Sequence, residues 1–277
     1  MTRFVRLVCP DSASLGIALA EVPTPRAIAT EADFAVASWE RQSMEPCPCT
    51  ATASWAEVPA GLNRQPLVVS DADGTLFEQE VIEELAFEAG TLQEVAAITA
   101  EAMNGRMDFA ESLHRRVATL EGLDEEAFAR VRARMRVSTG TNSLINRTHQ
   151  AGGKFAVVSG GFVEVVDPIA SGLGVDYVLA NRLEVSGGVL TGKLASEVVG
   201  PNQKVWAIAS WKASSTTPVV AIGDGANDIP MLSAANFGVA FCPKPALARV
   251  ADTVMPWRNL GSVWGFIGNE MFSQTVH

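Results

Sequence analysis

Two aspartates one residue apart, Asp71 and Asp73, end the short apolar run Leu67-Val68-Val69-Ser70, and Gly74 and Thr75 follow at once. Alternate residues of an extended chain point the same way. If the extended conformation persists past Ser70, both carboxylates face one pocket, where they can share a magnesium ion or divide the work of nucleophile and acid. Gly74 lets the chain turn, and Thr75 offers a hydroxyl to an oxyanion. Taken alone, the tetrapeptide is equally well a polar turn closing a strand. Three further groups alter that balance. Ser159-Gly160-Gly161-Phe162 follows the run Phe155-Ala156-Val157-Val158, Gly223-Asp224-Gly225-Ala226-Asn227-Asp228 follows Pro218-Val219-Val220-Ala221-Ile222, and Lys204 stands isolated between them. A carboxylate nucleophile, an acid, oxygen ligands for a metal and donors to phosphoryl oxygens are what phosphoryl transfer requires.

The elements that must position these groups follow from the runs themselves. Short apolar runs read as buried parallel strands, and open α/β sheets gather their chemistry at the strands' carboxyl ends. The fold class is therefore α/β. Further strands are expected at Tyr177 to Ala180 and Phe237 to Phe241, a hairpin around Ser186-Gly187-Gly188, and helices near 143–150, 203–212 and after Ile229. Behind the first catalytic strand the period changes from strand to helix. Val81, Ile82, Leu85, Ala86 and Ala89 make one face, Phe109, Leu113, Val117 and Leu120 another, and about four helices fit before residue 140. Such an insertion is well placed to cover the pocket. The expected division is a core at 66–77 and 141–277, a helical cap at 78–140, and a small α+β segment at 1–65 with strands near Phe4 to Val8 and Phe34 to Trp39.

With 277 residues, 48% of them hydrophobic, the chain can bury a full core. A formal charge of -10 without a basic run argues against a nucleic-acid surface or anionic lipid, so an anionic substrate must be attracted locally. No stretch approaches the ~20 apolar residues of a membrane helix. Residues 13–22 follow Arg3 and Arg6 and faintly suggest a signal peptide, but Pro10 and Asp11 interrupt and Glu21 ends the segment. A cytoplasmic protein is expected. Cys9, Cys47, Cys49 and Cys242 suit reduced thiols, and Cys47-Pro48-Cys49 reads as two loop thiols better than as a metal site lacking its second pair. His114 and His149 read as surface residues.

The order Asp-x-Asp-Gly-Thr, Ser-Gly-Gly, lysine, Gly-Asp-Gly-x-Asn-Asp resembles the haloacid dehalogenase superfamily. Within it, residues 66 to about 256 are similar to the phosphoserine phosphatases. Glu80, the segment Ala102 to Leu113, Arg116, Ala180-Asn181-Arg182-Leu183 and Ala240-Phe241-Cys242-Pro243-Lys244-Pro245 carry that likeness. The resemblance implies a Rossmann-like parallel sheet with a helical-bundle cap after the first catalytic strand. It implies Mg2+-dependent hydrolysis of O-phospho-L-serine through an aspartyl phosphate. Carried over by position, Asp71 is the nucleophile and Asp73 the acid and later the base. Mg2+ is held by Asp71, the Asp73 carbonyl and Asp224, with Asp228 behind them. Ser159, Gly160 and Lys204 bind phosphoryl oxygens with Asn227 nearby, Glu80 meets the substrate ammonium, Arg116 its carboxylate, and Met103 and Phe109 cover the bound amino acid. Arg115 adjoins Arg116, and since a helix turns ~100° per residue only one can face the pocket squarely. Relatives often carry a ligand-binding domain of the ACT type where residues 1–65 stand, a segment short and degenerate for one. A small-molecule substrate is the expected partner, and a homodimer is left open. The rival readings are a phosphatase or phosphotransferase of the same fold acting on another small phosphomonoester, and a silent amino-acid or phosphate sensor. The intact Asp71, Asp73, Lys204 and Asp224 set argues against the sensor, because binding needs no nucleophile.

Overall fold

The computed structural model describes residues 3–20, 22–40 and 46–269, so Glu21, the expected end of the early apolar segment, lies outside it. Strand β1 (Arg3–Cys9), helix α1 (Ser12–Leu19), β2 (Ala27–Thr30), β3 (Ala35–Glu40) and β4 (Ser54–Pro59) come first. They form an antiparallel sheet of order β2-β3-β1-β4. Asp11 caps α1 by accepting from the Ser14 amide. Alternation along β1 divides its side chains between two faces. Val5, Leu7 and Cys9 join Leu15 of α1 and the Trp39–Trp55 pair, stacked 5.4 Å apart. Arg6 and Val8 face the other way, toward the far end of the chain. The buried Arg6 guanidinium donates to the carbonyls of Gly265 (3.0 Å) and Phe266 (2.7 Å) and to Asn269. A side chain at Gly265 would meet Val8 Cγ2 at 2.8 Å, so glycine is what lets β1 approach.

The second sheet starts with β5 (Leu67–Ser70). Four helices follow, α2 (Val81–Ala89), α3 (Leu92–Met103), α4 (Phe109–Ala118) and α5 (Ala127–Arg134), and their apolar stripes Val81, Ile82, Leu85, Val95, Leu113, Val117, Phe128 and Val131 are buried. The two chain segments leading into and out of this bundle run side by side. Phe77 pairs with Val137, the Glu78 amide donates to the Arg136 carbonyl at 3.0 Å, and Ser138 Oγ to the Thr75 carbonyl at 2.6 Å. The remaining elements are α6 (Thr141–Gln150), β6 (Lys154–Phe162), α7 (Val163–Gly172), β7 (Tyr177–Asn181), the hairpin β8 (Leu183–Ser186) and β9 (Val189–Leu194), α8 (Pro201–Trp211), β10 (Val219–Gly223), α9 (Ile229–Ala234), β11 (Phe237–Phe241), α10 (Pro245–Ala248), β12 (Thr253–Met255) and α11 (Trp264–Ile267).

The central sheet has the order β12-β11-β10-β5-β6-β7 with every pair parallel. The three strands that end in chemistry-bearing residues, β10, β5 and β6, are thus neighbours, and their carboxyl ends lie side by side. The fold class expected from the sequence is the one observed. Three strands were not foreseen. β2 and β12 have four and three residues, too short for a periodicity signal, and β4 has the partly buried Glu57 and Pro59 in its run. Phe237 to Phe241, the final strand expected from the sequence, is accordingly not the last one. β12 follows it, and Thr253 Oγ1 meets Ser54 Oγ of β4 at 2.8 Å, joining the two sheets.

Candidate active site

Asp71 continues the ladder of β5 by donating its amide to the Ile222 carbonyl (2.9 Å), and it is extended at φ −65°, ψ 162°. Asp73 is extended as well (φ −69°, ψ 128°), but Ala72 between them has helical torsions, so the extended conformation expected past Ser70 is interrupted there. Gly74 then turns the chain at φ +73°, a conformation that favours glycine. A Cβ there would lie 2.7 Å from Asp224 Oδ2, so the missing side chain also leaves Asp224 its place.

Lys204 fixes the floor of the site. It comes from the second turn of α8, is buried, and places Nζ 2.9 Å from Asp71 Oδ1 and 2.6 Å from Asp228 Oδ1. The other Asp228 oxygen accepts the amides of Asp224 and Gly225, each at 3.1 Å. Both Asp228 oxygens are thereby engaged within the protein, while Asp224 presents its carboxylate beside Asp71. Oxygens of Asp71, Asp224 and Asp228 lie within 4.8 Å of one another. Burial and the neighbouring Asp228 charge push Asp71 well above the usual carboxylate range against the pull of Lys204, and burial pushes Asp224 up to about 6. A crowd of hard oxygens whose ionised forms oppose one another, with the Gly74 cradle open beside them, fits a hard divalent cation.

Asp73 occupies a different niche. Its Oδ1 accepts the Val81 amide at 3.2 Å, and a Cβ on Gly161 would lie 3.0 Å from Oδ2. Val81 opens α2, so this carboxyl is tied to the start of the helical insertion. Burial first, and the Glu80 charge second, hold it well above the ordinary range, which favours the protonated acid. From β6, Ser159 Oγ accepts the Gly161 amide at 2.8 Å, leaving its proton free for another acceptor. Phe109 of α4 lies over this loop, its ring tip 3.1 Å from where a Gly160 Cβ would be and its edge 3.4 Å from the corresponding point on Gly200.

Glu80 immediately precedes α2, and Arg116 comes from α4. Arg116 is half-buried and its Nε donates to the Ser112 carbonyl at 3.3 Å; burial lowers its pKa, and the charges of Glu80, Asp73 and Glu83 oppose that. Arg115 turns outward to Glu101 (3.2 Å). Asn227 is half-buried on the turn after β10. The structure does not seat Met103 over the cleft. It is the last residue of α3, 74% exposed, where the helix gives way to Asn104-Gly105, so Phe109 is the large apolar cover. The four cysteines are free thiols, and His149 pairs with Asp176 at 2.8 Å on the surface.

Three residues at the site receive no role from the sequence: Asn181 and Lys244 stand only in segments that carry the family likeness, and Arg258 is not singled out. Asn181 ends β7 and bridges two loops, donating to the Gly160 carbonyl (2.9 Å) and accepting the Val199 amide (2.7 Å). Arg258 donates to the Gly74 carbonyl at 3.1 Å. Lys244 follows β11 and sets Nζ 3.3 Å from Asp224 Oδ2 and 3.5 Å from Glu80 Oε1. The signal for Lys244 was its place just past a strand's carboxyl end, the rule that singled out the others.

The haloacid dehalogenase-like hydrolase family model matches residues 68–233, and a second model of the same description matches 203–267. A phosphoserine phosphatase of Streptococcus thermophilus is 47% identical over 182 residues, 65% of this chain and 85% of that one. One of Streptomyces coelicolor is 42% identical over 248 residues, 86% of this chain, which spans 60% of that relative's length. A solved structure described as a phospho-aspartyl intermediate analogue of phosphoserine phosphatase aligns with TM-score 0.69 and 39% identity over 74% of this chain and all (100%) of that one.

Proposed function

The chain belongs to the phosphoserine phosphatases of the haloacid dehalogenase-like hydrolases, and from that premise we propose that it hydrolyses O-phospho-L-serine to L-serine and phosphate through Asp71. The observation that carries this reading is the division between two carboxylates one residue apart. Burial raises both carboxyls, but Asp71 has Lys204 at 2.9 Å to favour its ionised form, whereas Asp73 has no cation at hydrogen-bond distance among the described residues. Such a difference in surroundings supports Asp71 as nucleophile and Asp73 as acid. Asp71 attacks phosphorus and the serine oxygen leaves with the proton of Asp73, giving an aspartyl phosphate. Asp73, now ionised, takes a proton from the water that hydrolyses the intermediate. Lys204, Ser159 Oγ and the Gly160 amide bind phosphoryl oxygens, and Asn227 stands near them. Asp71, the Asp73 carbonyl and Asp224 would hold Mg2+, with Asp228 supporting through Lys204 and the loop amides. When bound, the cation supplies neutralisation of phosphoryl charge and keeps Asp71 ionised. Glu80 takes the substrate ammonium and Arg116 its carboxylate, a pairing suited to a bidentate fork. In this reading residues 66–77 and 141–277 perform the chemistry, 78–140 cover it, and 1–65 brace the core.

The test is phosphate release from phosphoserine, phosphothreonine and a panel of sugar and nucleotide monophosphates, with Mg2+ and then with chelator. A strong metal-dependent preference for phosphoserine is expected. Preference for another member of the panel would discard the substrate, and hydrolysis unaffected by chelator would discard the metal.

A further inference from the structure

Lys244 stands at the mouth of the site, and the roles assigned above give it none. It is half-exposed, and its ammonium lies 3.3 Å from Asp224 and 3.5 Å from Glu80. One of these carboxylates is the proposed metal ligand and the other the proposed ammonium acceptor. They belong to different parts of the chain, Asp224 after β10 and Glu80 at the start of the helical insertion. The Lys244 amide also donates to the Asp224 carbonyl at 2.8 Å, so the backbone bearing the lysine is held to the loop that bears the ligand. Its side chain thus reaches a position where two carboxylates would otherwise repel each other. Any cation arriving at either carboxylate meets a positive charge already there.

Resting on the phosphoserine reading, we propose that Lys244 is an internal rival of both cations that load the site, the divalent ion at Asp224 and the substrate ammonium at Glu80, and so sets substrate specificity. While the site is empty the lysine neutralises both carboxylates and links the helical insertion to the core. Loading requires it to swing out to solvent, which its half-exposed position allows. A substrate without an amine leaves Lys244 on Glu80 and is tolerated. Without the lysine, Glu80 would face such a substrate as an uncompensated negative charge. Lys244 therefore weakens the binding of the amine-bearing substrate and relaxes discrimination against amine-free ones.

Calorimetric titration of the full chain with MgCl2 alone tests the first half. Lys244→Met keeps the length of the side chain and removes the charge, and because the ammonium is half in solvent the expected tightening is modest, about tenfold. Lys244→Arg keeps the charge and should stay within about twofold of the parent, since its effect is set by the same Coulomb attraction. A Lys244→Met protein with normal melting that binds Mg2+ no better, or worse, overturns the competition. For the second half, KM is compared between phosphoserine and its analogue lacking the amine, O-phospho-3-hydroxypropionate. The KM ratio should shift in favour of phosphoserine by about tenfold in Lys244→Met and not in Lys244→Arg. An unchanged or reversed ratio overturns the specificity role. If the parent enzyme fails to hydrolyse phosphoserine, the proposed function falls and the ammonium half falls with it, whereas the metal titration, run without substrate, still decides the competition at Asp224.

Discussion

Replacing Lys204 by methionine leaves two buried carboxylates without their cation, and the size of the effect can be worked from the structure. Nζ lies 2.9 Å from Asp71 and 2.6 Å from Asp228. At an effective dielectric constant of about 20 each contact is worth roughly 6 kcal/mol of gross Coulomb attraction. Desolvation of the buried ammonium offsets much of that, and breaking a buried ion pair from one side typically destabilises by about 3–5 kcal/mol. Lys204→Met should therefore unfold at markedly lower urea concentration at pH 8, with little change in the slope of the transition. The deficit must shrink as pH falls. Unfolded aspartates titrate near ~3.9, so between pH 8 and pH 5 the unfolded chain stays ionised while the folded variant can take up a proton on Asp71, which burial already raises and which has lost its cation. The folded state then binds more protons, and its stability rises on acidification. Adding Asp228→Asn to the lysine variant should recover part of the loss, since one of the two unpaired charges is removed. A loss below about 1 kcal/mol, the scale of an exposed pair, or a deficit that is the same at pH 5 and pH 8, would refute the account of Lys204 as the buried counter-charge.

Asp71→Asn should abolish phosphate release while the melting temperature is kept or raised, since it removes a nucleophile that burial already disfavours in ionised form. A near-normal rate would remove the aspartyl phosphate from the mechanism. Arg116→Ala should raise KM for phosphoserine by about tenfold or more while an aryl phosphate, which has no carboxylate to lose, changes little. Equal losses on both would take Arg116 out of substrate recognition. Because burial raises Asp224 to about 6, its ionised form is fully available at pH 7 and scarce at pH 5. Proton competition should then weaken Mg2+ binding about tenfold between those values, and calorimetry showing a flat profile would contradict it. The same raised carboxyl contributes stability to the metal-free protein that is present below the unfolded pKa and lost as pH rises through about 6.

What was legible in the sequence follows from how locally each feature is determined. β5, β6 and β10 announce themselves as apolar runs ending in polar residues, and because parallel neighbours align their ends, the Asp71, Ser159 and Asp224 loops had to meet once those strands paired. The helical stripes of α2 and α4 were equally plain. β2 and β12 were not, because a strand of three or four residues has no period to read and is held by its neighbours. At the site, Asp71, Asp73, Lys204, Asp224 and Asp228 lie together, while Met103, an apolar residue on a helix end, is left in solvent by packing that its own segment does not specify. Asn181 and Lys244 act across loops from β7 and β11, and their partners are set by tertiary approach. The choice between Arg115 and Arg116 depended on how α4 rotates against α3.

The grip of Arg6 on Gly265 and Phe266 joins residues 259 and 260 positions apart in sequence. On the ribosome, Arg6 is made 259 and 260 positions before the carbonyls that anchor it. At about 5–20 residues per second, that interval is of the order of 10–50 s. Throughout it the face of β1 bearing Arg6 and Val8 has no place to dock. Removing residues 1–65 should for the same reason expose the surface left behind, so that residues 66–269 expressed alone would present the Gly265 and Phe266 carbonyls to water in place of Arg6, with an uncovered apolar patch beside them.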